Sequence, residues 1–283
     1  MTFIKNLFIG IIIGISNIIP GVSGGTMMVV FNVFDKLVHA VSKFTSDVKN
    51  NFLLLFSIVS GAGLGILLFS KGLSYLLSNF YMVTNFFFIG IILGSFPMVY
   101  KKSVADKFKP LHLIPCAITL AIMLFTVYFV PNINSTVKET LSVFTFFHLL
   151  IISALAAFCM IIPGISGSFV MVLFGTYETV IAAISKFNIL ILIPVAIGCL
   201  IGLFLGSKII DKLLRKYPQA TYFSILGFMI GSIPAIIQNV ALKDAFIGGT
   251  AIIYSALFCI LGLAISLIFS VDSLKNRIFM HKN

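Results

Sequence analysis

The 283-residue chain is 60% hydrophobic and 10% charged, against roughly 25% charged residues in soluble domains, which excludes a water-soluble globular protein. Its net charge of +11 does not point to nucleic acid, because the Lys and Arg residues fall in short loops between apolar stretches, where membrane topology puts them. Cys116, Cys159, Cys199 and Cys259 each stand alone inside an apolar stretch without CxxC spacing, so they read as small packing residues.

Charge-free stretches run over 6–34, 52–70, 72–100, 110–137, 140–177, 187–207, 217–242 and 245–271. Each reaches the roughly 18 to 20 residues that cross a bilayer core as a helix, so the expectation is an all-α polytopic membrane protein. Lys5 followed by an apolar run resembles a secretion signal, but no small-residue cleavage site follows and the segment is expected to be retained.

The first stretch contains Ile18-Ile19-Pro20-Gly21-Val22-Ser23-Gly24-Gly25-Thr26, which returns 143 positions later as Ile161-Ile162-Pro163-Gly164-Ile165-Ser166-Gly167-Ser168-Phe169. Over 18–44 against 161–187, 13 of 27 positions are identical, and the acidic position Asp35/Glu178 is kept in kind. With the offset changed to 137, Gly61, Gly65 and Lys71 match Gly198, Gly202 and Lys208, and Gly90, Gly94, Ser95 and Pro97 match Gly227, Gly231, Ser232 and Pro234. The chain therefore reads as two halves, 1–137 and 138–283. The first holds a broken element over 3–45 and spans at 52–70, 80–100 and 110–130. The second holds a broken element over 144–186 and spans at 188–207, 219–240 and 246–270. Repeats of this kind characterise transporters.

Positive charge tests whether the broken elements cross the membrane. If each crosses once, Lys and Arg divide 10 against 9 between the two sides. If each enters and leaves by the same face, the division is 15 against 4, with only Lys71, Lys138, Lys186 and Lys243 outside. The hairpin reading wins over a single crossing, and the count by itself does not separate a re-entrant hairpin from two full spans, which have the same parity. A helix over 7–19 covers about 20 Å, short of a core of roughly 30 Å, so the break is expected near mid-membrane. Three crossings plus a re-entrant helical hairpin make each half odd, which gives two inverted repeats with both termini cytoplasmic.

Irregular backbone at membrane depth is tolerated only where protein covers it or a watery cavity meets it. Proline stops each descending half-helix, glycines permit tight turning, and the ascending half-helix is expected to start near Gly24–Thr26 and Gly167–Phe169. Its free amides favour an anion such as phosphate. The candidate binding residues are Asn17, Gly21, Ser23, Gly24, Gly25, Thr26, Gly164, Ser166, Gly167 and Ser168; the bland alternative is tight helix packing through small residues. No Asp, Glu, His or Arg lies within a tip. Asp35 and Glu178, placed at the ends of the ascending half-helices, are either solvated ends or coupling-ion sites, and Lys71 is a candidate for an anionic headgroup. Ser95-Phe96-Pro97 and Ser232-Ile233-Pro234 are either kinks or span ends. His39, His112, His148 and His281 carry no metal assignment.

The motif Pro20–Thr26, preceded by Gly14-Ile15-Ser16-Asn17 and repeated at Pro163–Ser168, resembles the bacterial polyprenyl-phosphate transporters, a family long known as a domain of unknown function. The resemblance covers nearly the whole chain. It implies a flippase that returns undecaprenyl phosphate, the lipid carrier left outside after cell-wall polymers are assembled, to the cytoplasmic leaflet of the plasma membrane. The partner is then the polyprenyl-phosphate lipid. No cofactor is implied, and the coupling ion, proton or sodium, stays open. One alternative is an intramembrane undecaprenyl-pyrophosphate phosphatase, whose family has inverted repeats and a Pro-Gly-x-Ser hairpin. That family carries an Arg after the Ser, where this chain has Gly24 and Gly167, and charge stabilisation for hydrolysis lacks a supplier. A secondary transporter of a small soluble anion is the other alternative.

Overall fold

The computed structural model describes residues 3–17, 23–104, 110–129, 140–242 and 249–280. These residues are helical almost throughout, with no strand among them. The first half comprises α1 (Phe3–Asn17), α2 (Gly24–Val30), α3 (Phe34–Ser42), α4 (Val48–Asn79), α5 (Tyr81–Ser103) and α6 (Leu113–Phe129). The second repeats the series as α7 (Val143–Ile161), α8 (Gly167–Leu173), α9 (Tyr177–Ser185), α10 (Ile189–Lys216), α11 (Pro218–Leu242) and α12 (Gly249–Met280). Seven of these helices are long and apolar enough to cross a membrane, which makes this a multi-pass membrane protein. Six match the expected spans. The seventh is α7, expected to be a short hairpin arm, whose 19 residues rise about 28 Å.

The ascending half-helices begin where expected, at Gly24 and Gly167, but each ends after seven residues. Asn32 at φ 54° and Gly175 at φ 67° occupy equivalent positions just beyond. The amides of Val33 and Thr176 reach back to Met28 and Met171, those of Asn32 and Gly175 to Val29 and Val172, all at 2.8–3.0 Å. Each is a Schellman stop, which needs a left-handed residue and so selects Asn or Gly. Asp35 and Glu178 consequently open new helices, α3 and α9, instead of ending the ascending ones. The Ser-x-Pro segments lie inside α5 and α11 and not at a helix end. Ser95 and Ser232 each donate to the carbonyl three residues back, Ile92 at 2.6 Å and Met229 at 2.8 Å.

Helix pairing is set by close backbone approach at glycine. The carbonyls of Leu7 and Ile11 press on Gly61 and Gly65, and those of Leu150 and Ala154 on Gly198 and Gly202. A Cβ at any of these four glycines would come within 2.3 Å of the facing oxygen, too close to accommodate. Numbers rise together along each contact, so α1 runs parallel to α4 and α7 to α10. Likewise Gly90 and Gly94 face the carbonyls of Cys259 and Leu263, while Gly227 and Gly231 face Cys116 and Met123, making α5 parallel to α12 and α11 to α6. Each contact recurs in its counterpart helix pair at the sequence offsets of the repeat.

The core gathers where the halves meet, around Met27, Val33, Phe34, Ile92, Met98, Met229 and Ile236. Leu67, Phe129 and Ile260 on α4, α6 and α12 are exposed, the pattern of helix faces that look into lipid.

Candidate functional site at the meeting of two tips

Each tip is built by its own short-range chemistry. Asn17, the last residue of α1, accepts the Gly24 amide on its side-chain oxygen at 3.1 Å. Ser23 caps α2, its hydroxyl accepting the Gly25 amide at 3.2 Å and its carbonyl the Thr26 amide at 2.9 Å. In the second tip Gly164 takes φ +93°, where a side chain would be strained, and its α-carbon faces the backbone of Phe228 and Met229 on α11. Ser166 has the extended backbone of a cap, at φ −96° and ψ 131°, yet its hydroxyl makes no capping bond. Instead it lies 2.7 Å from the Ser168 hydroxyl, at an exposed position.

The two tips touch. The Gly164 amide donates to the Thr26 hydroxyl at 3.1 Å, a buried bond spanning 138 residues of chain. Gly25 sits so close to the other tip that an added Cβ would lie 3.0 Å from the Ile161 carbonyl and 3.1 Å from the Pro163 nitrogen. Asn17, Ser23, Gly24, Gly25, Thr26 and Gly164 are thereby drawn into one junction, in which Ser23 and Thr26 are buried. Ser166 and Ser168 flank it on a more open side, and Gly167 packs on the Ala156 carbonyl. Gly21 lies outside the described residues. The described junction holds neither carboxylate nor guanidinium, and its Gly24, Gly25, Thr26 and Gly164 amides are bonded within the tips, so what it can offer an anion is hydroxyl hydrogens, with no acidic group and no fixed charge.

The other candidates lie elsewhere. Asp35 is held at the end of α5, where Lys102 Nζ meets its Oδ2 at 2.8 Å and the Tyr222 hydroxyl donates to its Oδ1. Lys102 also lies 3.1 Å from that hydroxyl, with its side chain only 10% exposed. Glu178 is exposed on α9. The Lys71 backbone belongs to α4. Among the described residues no group of three His, Cys, Asp or Glu could hold a metal ion.

One cluster escaped sequence reasoning. Arg215 Nε donates to both oxygens of Asp211 at 3.2 Å, and Nη2 lies 2.6 Å from His39 Nδ1. A guanidinium at that distance makes Nδ1 an acceptor, so the 3.3 Å spacing of His39 Nδ1 and Asp211 Oδ1 is bridged by Arg215 and is not itself an ion pair. Ser42 adds a 3.4 Å bond to Asp211. The cluster borders a basic cleft of about 570 Å³ lined by Lys43, Lys208, Lys212 and Lys216. The i, i+4 spacing of Asp211 and Arg215 was the only signal in the sequence.

Residues 13–247 match the family model described as undecaprenyl phosphate translocase-like. The chain is similar to a polyprenyl-phosphate transporter of Vibrio cholerae, 30% identical over 251 residues that cover 83% of this chain and 78% of the relative. It is also similar to a polyprenyl-phosphate transporter of Staphylococcus aureus, 33% identical over 247 residues covering 82% of this chain and 85% of the relative. No solved structure matches.

Proposed function

This chain belongs to the undecaprenyl phosphate translocase-like family, and from that membership we propose that it carries polyprenyl phosphate from the outer to the cytoplasmic leaflet of the bacterial plasma membrane, holding the phosphate at the two tips. The observation that carries the reading is the Thr26–Gly164 hydrogen bond, which joins the two copies of the repeated motif in one buried place. The family and both relatives are named for transport and not for hydrolysis.

The parallel courses of α1 with α4 and of α7 with α10 support the hairpin reading, since a parallel neighbour can begin only if the chain has come back to the face it left. On this reading the halves are inverted, both termini are cytoplasmic, and the tips serve each leaflet in turn by alternating access. The prenyl tail stays in lipid while the head crosses. With α2 and α8 only seven residues long and the amides of Gly24, Gly25, Thr26 and Gly164 bonded within the tips, the phosphate is held by the hydroxyls of Ser23, Thr26, Ser166 and Ser168, and little by a helix dipole. A proton or sodium ion drives the step. Asp35 cannot serve as its ligand while Lys102 and Tyr222 hold it.

A leaflet-resolved assay of undecaprenyl phosphate in liposomes tests this. The wild-type protein is expected to move the lipid without releasing inorganic phosphate. Gly24→Val, which drives a Cβ to 2.5 Å from the Asn17 oxygen, and Gly167→Val, which drives one to 2.9 Å from the Ala156 carbonyl, are expected to lose transport while still inserting. Normal transport by both variants would remove the tips from the mechanism.

A further inference from the structure

The repeat gives each contact a counterpart, and one pair of counterparts is unequal. α3 packs along α10, whereas among the described residues α9, the counterpart of α3, has no comparable packing along α4, the counterpart of α10. Side-chain chemistry follows the same division. On the packed face His39 and Ser42 of α3 meet Asp211 and Arg215 of α10, while Asp35 of α3 meets Lys102 of α5 and Tyr222 of α11. On the other face the repeat puts Ala182 for His39, Ser74 for Asp211, Ser78 for Arg215, Asn239 for Lys102 and Asn85 for Tyr222. Of the seven positions only Glu178, the counterpart of Asp35, carries charge, so no ion pair can form among them. The tips agree with this asymmetry: Ser23 and Thr26 are buried, whereas the Ser166–Ser168 hydroxyl pair is exposed.

We propose that the His39–Ser42–Asp211–Arg215 cluster and the Asp35–Lys102–Tyr222 cluster form a one-sided latch that holds the α3/α10 face shut in this conformation, while among the described residues no such cluster ties α9 to α4. The latched face carries the cluster of basic residues, so on the charge count it is cytoplasmic, and lipid from the outer leaflet enters by the face without a latch. Moving the headgroup inward then requires both clusters to part. The proposal rests on the alternating-access reading above and is independent of which anionic lipid is carried.

Cysteine pairs in a background with Cys116, Cys159, Cys199 and Cys259 replaced by alanine decide it. A short bifunctional thiol reagent is expected to join His39→Cys with Arg215→Cys about tenfold faster than the counterpart pair Ala182→Cys with Ser78→Cys. Once joined, the first pair should block undecaprenyl phosphate transport in liposomes, with recovery on reduction. Equal rates for both pairs, or full transport by the joined protein, would overturn the latch. Because the cysteines themselves remove latch residues, Asp211→Asn supplies a second measurement. It should raise labelling of Ser23→Cys from the cytoplasmic side about tenfold, and unchanged labelling would also overturn the proposal. A wild-type protein that moves no undecaprenyl phosphate would sink the functional reading instead, leaving the crosslinking asymmetry to stand or fall by itself.

Discussion

Thr26 is the residue on which the two halves depend most directly. Its hydroxyl is the acceptor for the Gly164 amide, and both groups are buried. Thr26→Val keeps the shape and removes the acceptor, leaving an amide with neither water nor protein to bond. That loss costs about 1–3 kcal/mol, so the variant should unfold at lower temperature in detergent and transport poorly. Thr26→Ser retains the acceptor and should recover most of both. Equal stability of the valine variant would mean that the bond contributes nothing to joining the tips. The motif made Thr26 visible in the sequence as a hydroxyl at a tip, but its partner was not legible, since nothing local in the chain pairs position 26 with position 164.

At the scale of elements, the duplicated glycines told most of the story. Their recurrence marked the two halves and charge-free runs marked the spans, while the structure alone shows that the duplicated glycines within the spans meet a neighbouring helix. What the sequence hid was the second break in each hairpin. Asn32 stands in an apolar run with no proline nearby, and only alignment with Gly175 shows that both residue types suit a left-handed stop. Asn32→Gly should leave stability within a few tenths of a kcal/mol or improve it, since Gly adopts that conformation without strain. Asn32→Val should cost about 1–2 kcal/mol by the Cβ–carbonyl clash, read as a fall in thermal midpoint. If valine is tolerated, the stop is not what separates α2 from α3. The latch was equally hidden, because His39 and Asp211 are 172 residues apart and Asp35 and Lys102 are 67 apart. Their types and positions suit ordinary loop charges, and only packing joins them.

For the whole molecule, two independent observations support the proposed course through the membrane. The charge count needs both hairpins to return to the face they leave, and the parallel helix pairs need the same return. The packing of α5 with α12 and α6 with α11 ties each half to the other, so neither half is a separate body. The length of α7 suits a full crossing, since it could cross by itself; its parallel neighbour α10 requires only that α8 and α9 bring the chain back to the face α7 left, because a chain that stayed across would have to send α10 back antiparallel. Thr45 and Thr140, both exposed, separate the two topologies. With returning hairpins a cysteine at Thr140 reacts with a membrane-impermeant maleimide in intact cells, and one at Thr45 reacts only after permeabilisation. With hairpins that each cross once, both positions change sides and the labelling pattern reverses, which would undo the inversion of the halves and with it the assignment of the shut face to the cytoplasm.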